Sequence, residues 1–157
     1  RRHTRFRNVT GVQTCALPIS RFAAGVNGLD ASARAANSAA ALKAVTAFFE
    51  AWNSHDQDRL ASSLHYPHVR VADGAVETWR TAADYLAGPE PGRQRTWYQT
   101  RVDDSQVVQA TANGVNVTVR FSRLGRDRSV LSSDLGVFLV VLRDGAWKIQ
   151  ARSTMGS

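Results

Sequence analysis

Residues 115–124 alternate without a break, with Val115, Val117, Val119 and Phe121 on one side and Asn116, Thr118, Arg120 and Ser122 on the other. A period of two is the mark of a strand with one face in a core and one in water. Its neighbours are set by the turns around it. Asn113-Gly114 and Asp144-Gly145 are hairpin dipeptides, because both tolerate the positive φ that a tight turn between strands requires. Residues 96–111, 115–124, 129–142 and 146–153 are therefore expected to form a four-strand meander. The third of these becomes apolar on both faces from Val137 to Leu142, as a strand covered on both sides does.

One upstream segment is long enough to cover such a sheet. From Ala31 to Asn53 the chain is rich in Ala and free of Gly and Pro, which favours helix. Ala41, Val45, Phe48, Phe49 and Trp52 fall on one face of that helix. Asp56 is placed to cap a second, short helix in which Leu60 and Leu64 share a face and which Pro67 ends. Residues 68–73 read as a strand with Val69 and Val71 on one side. Asp73-Gly74 turns it back into a partner at 76–80. Thr81 and Asp84 make a capping box for a third helix carrying Tyr85 and Leu86, and Gly88-Pro89 ends it, with the glycine as a left-handed cap. Residues 88–95 read as a polar loop.

Helices set apart from antiparallel strands make an α+β domain. A short helical layer cannot bury one face of so long a sheet unless the sheet curls around it. The pattern thus predicts a strongly curved sheet wrapped on the first helix, with a cavity at the open end.

The run AFFEAWNSHDQDRL, Ala47 to Leu60, and the closing pair VFLVVLRDGAWKIQARS, Val137 to Ser153, resemble the NTF2-like superfamily, which includes SnoaL-type cyclases and ketosteroid isomerases. The resemblance spans about residues 35–154. It implies a cone of three helices packed on a strongly curved antiparallel sheet. It also implies a pocket for a small apolar ligand, while the doubly apolar strand Val137 to Leu142 points to a homodimer formed through the outer sheet face. In the isomerase branch a phenol and a carboxylic acid form the oxyanion hole, and an aspartate is the base. Carried over by position, the phenol falls at Phe48, the base near Ala72 or Asp73, and the acid near Phe138, with Asp134 on the same strand face. One of the three roles is filled.

The chain has a formal charge of +7, which raises the question of a nucleic-acid partner. Four of the positive charges are Arg1, Arg2, Arg5 and Arg7, in a stretch without acids; setting them aside leaves +3. Val9 to Ile19 reads VTGVQTCALPI, which resembles the conceptual translation of a sequencing adapter. Residues 1–30 are accordingly read as a scar and lead-in, and 31–157 as the domain. The one cysteine, Cys15, goes with the scar, leaving neither a disulfide nor a thiolate metal site. Neither nucleic acid nor membrane is expected as a partner, since no apolar run approaches the ~20 residues that cross a bilayer. A cytoplasmic protein is expected, and two lysines among many Ala and Arg point to a GC-rich bacterial genome.

Candidate bases are Asp73, at the end of its strand, His65, beside Tyr66-Pro67, and Asp134, with Arg120 as its counter-charge. Phe48, Trp52, His68, Trp79, Tyr85, Trp97, Phe121 and Phe138 are the expected pocket lining. His55 and Asp56 read as interhelix capping residues. His65, His68 and Asp73 do not have a metal-ligand spacing, so no metal and no cofactor are expected. Two functions remain open: a small-molecule-binding domain acting as a cofactor-independent isomerase, cyclase or dehydratase on an apolar carbonyl compound, or a non-catalytic dimerisation or protein-interaction domain.

Overall fold

A computed structural model describes residues 29–88 and 97–156. The expectations for residues 1–28, Cys15 among them, and for the polar loop from Pro89 to residue 95 lie outside those residues. Helix α1, Ala31–Ser54, starts on the Asp30 carboxylate, which accepts from the Ala33 N–H at 2.7 Å. It ends at His55, which takes the left-handed conformation at φ 58°. Asp56 then caps α2, Gln57–Ser62, accepting from the Arg59 N–H at 2.9 Å. Strands β1, Leu64–Ala72, and β2, Ala75–Trp79, follow, then α3, Ala82–Ala87, on the complete Thr81/Asp84 capping box. The chain closes with β3, Gln99–Ala110, β4, Gly114–Leu124, β5, Val130–Arg143, and β6, Ala146–Gly156.

The six strands form one sheet in the order β2-β1-β6-β5-β4-β3. Every pairing is antiparallel except β1 with β6, which is parallel. The three helices pack on its inner, concave face. Register shifts interrupt the ladders on both sides of β4 and between β5 and β6, and each extra residue bends its strand locally. The sheet wraps on α1 in this way, and Phe48, Phe49, Phe121 and Phe138 close the core in edge-to-face and tilted contacts at 5.3–5.7 Å. Two asparagines tie α1 to the edge strand. Asn53 donates to the Thr100 carbonyl at 2.8 Å and accepts from the Thr100 N–H at 2.7 Å, and Asn37 donates to the Thr111 carbonyl at 2.9 Å.

Two local expectations are corrected. Pro67 does not end α2; the helix stops at Ser62, Leu64 opens β1, and Pro67 lies inside that strand. It is tolerated because the β1–β6 register is broken between Leu64 and Val69, so no ladder bond is asked of its missing N–H. Gly88 is not left-handed but extended, at φ −82° and ψ 163°, as suits a residue that precedes a proline. The Val69/Val71 side of β1 is the outer face; His68 and Ala72 are buried on the inner one, and Val71 is 40% exposed. The two Asp-Gly turns do form as expected, with Asp73, Gly74, Asp144 and Gly145 all at positive φ.

Candidate functional site

One extra residue on β6 decides what faces the inside of the cone. Leu139 pairs with Ala151 but the next residue, Val140, pairs with Ile149, so Gln150 is bulged out of the ladder. Ahead of the bulge the alternation points Ile149 inward. Beyond it the phase flips, and Arg152 and Thr154 point inward instead of Ala151 and Ser153. Arg152 pairs with Phe138 on one side and with Arg70 of β1 on the other.

These residues line a cleft between the C-terminal half of α1 and the sheet. Its floor is Phe48, Phe49, Trp52, Phe121 and Phe138, and its polar rim is Arg70, Thr100, Arg123, Arg152 and Thr154. The unfilled space, open solvent at the mouth included, is about 390 Å³, but only about 20 Å³ of it is wide enough for the centre of a water molecule. A roomier groove of about 210 Å³ on the same measure runs between α1 and β3, and Phe49 and Thr100 line both spaces.

Three guanidinium groups thus meet around an aromatic floor. Arg70 is paired with Glu77 at 2.6 Å and Arg123 with Asp134 at 3.8 Å. Arg152 is buried, and its guanidinium carbon lies 5.2 Å from the Phe48 ring centre and 5.3 Å from that of Trp52. Its Nε donates to His68 Nε2 at 3.3 Å, while Nη2 has no hydrogen-bond partner among the described residues. Burial pushes the Arg152 pKa down to about 10, with Arg70 and Arg123 adding to the fall and Tyr85 and Glu77 opposing it. The group stays charged at neutral pH. His68 is pushed down to about 3, first by burial and then by the Arg152 charge, against a smaller upward pull from the Gln150 and Ile149 backbone. It is therefore a neutral imidazole that accepts at Nε2, which puts its proton on Nδ1.

A model of the family described as NTF2-like protein (DUF6841) matches residues 39–155. The chain belongs to that NTF2-like family. A hexachlorocyclohexane dehydrochlorinase from Novosphingobium barchaimii superposes with a TM-score of 0.64 at 16% identity, over 82% of this chain and 91% of that one. A ketosteroid isomerase-like protein from Erwinia carotovora atroseptica gives 0.55 at 18% identity, over 75% and 94%. An NTF2-like protein of unknown function from Shewanella oneidensis gives 0.61 at 12%, over 75% and 98%. At such identities the likeness is one of fold. No curated protein matches the chain.

Within this NTF2-like frame the candidate bases do not converge. Asp73 sits exposed in the β1–β2 turn, because the inward series of β1 is His68, Arg70 and Ala72 and Asp73 falls on the outward alternation. His65 Nε2 lies 3.1 Å from both the Val141 and Ala146 carbonyls, so it holds the β5–β6 hairpin rather than the cleft. Asp134 is buried on the inner face, accepts from the Ser132 hydroxyl at 3.1 Å, and adjoins the cleft through Arg123. Arg120, expected beside it, is exposed on the opposite face of β4.

Of the expected lining, Phe48, Trp52, Phe121 and Phe138 face the cleft. Trp97 packs behind Trp52 at 5.8 Å and donates to the Thr100 hydroxyl at 3.0 Å. Trp79 and Tyr85 form a separate cluster with His68, whose ring stacks on Trp79 at 5.7 Å. Sequence reasoning missed Arg70, Arg123 and Arg152. No group of three or more His, Cys, Asp or Glu side chains able to hold a metal gathers among the described residues, and no described helix is long and apolar enough to cross a membrane.

Proposed function

We propose that the chain is a small-molecule-binding domain whose ligand sits in the cleft between α1 and the inner sheet face. The observation that carries this reading is the meeting of five aromatic side chains with a ring of convergent polar groups at the open end of the cone. A neighbour of the same fold is named for hexachlorocyclohexane, a small molecule. Isomerase, cyclase or dehydratase chemistry on an apolar carbonyl compound has thinner support. Among Asp73, His65 and Asp134 only Asp134 adjoins the cleft, and it is paired with Arg123.

Native mass spectrometry of the full chain, together with melting curves against indole, benzyl alcohol and benzoate, tests the binding reading. A bound small-molecule mass, or a melting temperature that rises with the concentration of at least one probe, is the expected result. No bound mass and no shift with any probe would overturn it.

A second reading, a homodimer through the outer sheet face, has its own observation. Val71, Leu135, Val137 and Met155 are 40%, 53%, 40% and 78% exposed, and β1, β6 and β5 bring them together on one surface. An apolar patch of this kind in a single chain is explained by a second copy covering it. Sedimentation of the wild-type chain is expected to give a dimer and Leu135→Arg a monomer; a wild-type monomer at tens of micromolar would remove this reading.

A further inference from the structure

We propose that the cleft receives the carboxylate of a small organic acid, held on Arg152 with Arg70 and Arg123 alongside. The proposal rests on the small-molecule reading above and names the ligand class it implies. Of the three guanidinium groups at the cleft, Arg70 is paired with Glu77 and Arg123 with Asp134, and Arg152 is left with no carboxylate pairing it among the described residues. A buried cation with an orphaned N–H is costly, and Arg70 directly across the ladder adds like-charge repulsion. Within the core the guanidinium serves only as the donor to His68 Nε2 and as the group beside the Phe48 and Trp52 rings. A methionine there would cover the Phe48 and Trp52 rings as well.

The guanidinium is held ready rather than loose. His68 fixes its Nε and the two aromatic rings lie beside it, while Nη2 is buried without a hydrogen-bond partner among the described residues. A planar carboxylate meets such a fork with paired charge-assisted hydrogen bonds. Thr100 and Thr154 bring hydroxyl groups to the same rim. The ligand's apolar body lies against the aromatic floor beside that rim. That aromatic floor is also what separates an organic acid from a free inorganic anion, which has no use for five aromatic side chains.

The test is calorimetric titration of the full chain at low salt with benzoate, its neutral counterpart benzyl alcohol, and inorganic phosphate. Each is repeated on Arg152→Met, Arg152→Lys and, as a surface control, Arg59→Met. Benzoate is expected to bind more tightly than benzyl alcohol and to lose ~30-fold or more in Arg152→Met, with partial recovery in Arg152→Lys and no change in Arg59→Met. Should Arg152→Met fail to fold, Arg70→Met and Arg123→Met serve instead, each expected to weaken benzoate several-fold while leaving benzyl alcohol unchanged. Equal binding of benzoate and benzyl alcohol, or benzoate affinity within twofold of wild type in a folded Arg152→Met, overturns the carboxylate assignment while the small-molecule reading stands. Phosphate binding without benzoate binding overturns the organic acid in favour of an inorganic anion. No binding of any of the three overturns the carboxylate assignment, while the small-molecule reading is decided by the native mass spectrum and the indole melting curve.

Discussion

Truncating Phe48 to Ala is expected to destabilise the domain by about 3–5 kcal/mol, measured as the shift in a urea melt. The side chain is 1% exposed and lies at the crossing of α1 with β5. It touches Phe49 at 5.3 Å, Phe138 at 5.7 Å and Trp52 at 5.8 Å between ring centres, all within one close-packed layer. Removing it leaves a ring-sized void that neighbours on a rigid helix and a central strand cannot collapse to fill, so the cavity term is added to the lost transfer energy. The loss is a large share of the ~5–15 kcal/mol that holds a typical domain together. Phe48 is also one of the two rings beside the Arg152 guanidinium. Phe48→Leu, which keeps most of the volume, is expected to cost only about 1–1.5 kcal/mol while taking that face from Arg152. A loss below 1 kcal/mol for Phe48→Ala would mean that α1 is not seated on β5 as described.

Most of the fold was legible because two signals agreed along the chain. The helical face from Ala41 to Trp52 and the alternation from Val115 to Phe121 each predict which side is buried, and each is buried there. The caps at Asp56 and Thr81 and the turns at Asp73-Gly74 and Asp144-Gly145 are local chemistry that needs no tertiary context. The parallel pairing of β1 with β6 was not legible, because nothing in either strand marks its partner.

The site was hidden by the rule that worked elsewhere. Nothing in the alternation of β1 said which side faces the core. His68 was expected in the pocket, but Arg70, two residues on along the same face, was passed over because the outer face, with Val69 and Val71, is apolar too. Arg152 was hidden twice over. Continued from Trp147 and Ile149, strict alternation puts it on the outside, and only the bulge at Gln150 brings it in. A single-residue bulge carries no dependable sequence mark. Beside the buried Asp134 carboxylate the inner face thus also carries a buried cation, Arg152.

Burial first, and then that cation, explain the second large effect, a loss of stability in mild acid that traces to His68. The folded-state pKa of this ring is about 3 against an ordinary value of 6.5. Between those two values the unfolded chain binds a proton that the folded chain refuses. Stability contributed by the neutral ring is therefore complete above pH 6.5 and falls as the pH drops toward 3. At 1.36 kcal/mol per unit the loss is about 2 kcal/mol by pH 5 and on the order of 4 to 5 kcal/mol by pH 3. Carboxylates titrate over the lower part of the same range, so the wild-type curve alone does not isolate the histidine. His68→Phe does. It keeps an aromatic ring against Trp79 and Tyr85 but has nothing to protonate, and it leaves the Arg152 Nε without its acceptor. The variant is expected to be less stable than wild type at pH 7.5, by about 1–3 kcal/mol for the lost acceptor, yet to have a flatter profile between pH 7 and 4. The two curves then converge or cross on the acid side. Parallel curves would mean that His68 is free to take a proton in the folded state, and that the Arg152 guanidinium does not lie against it as the cleft requires.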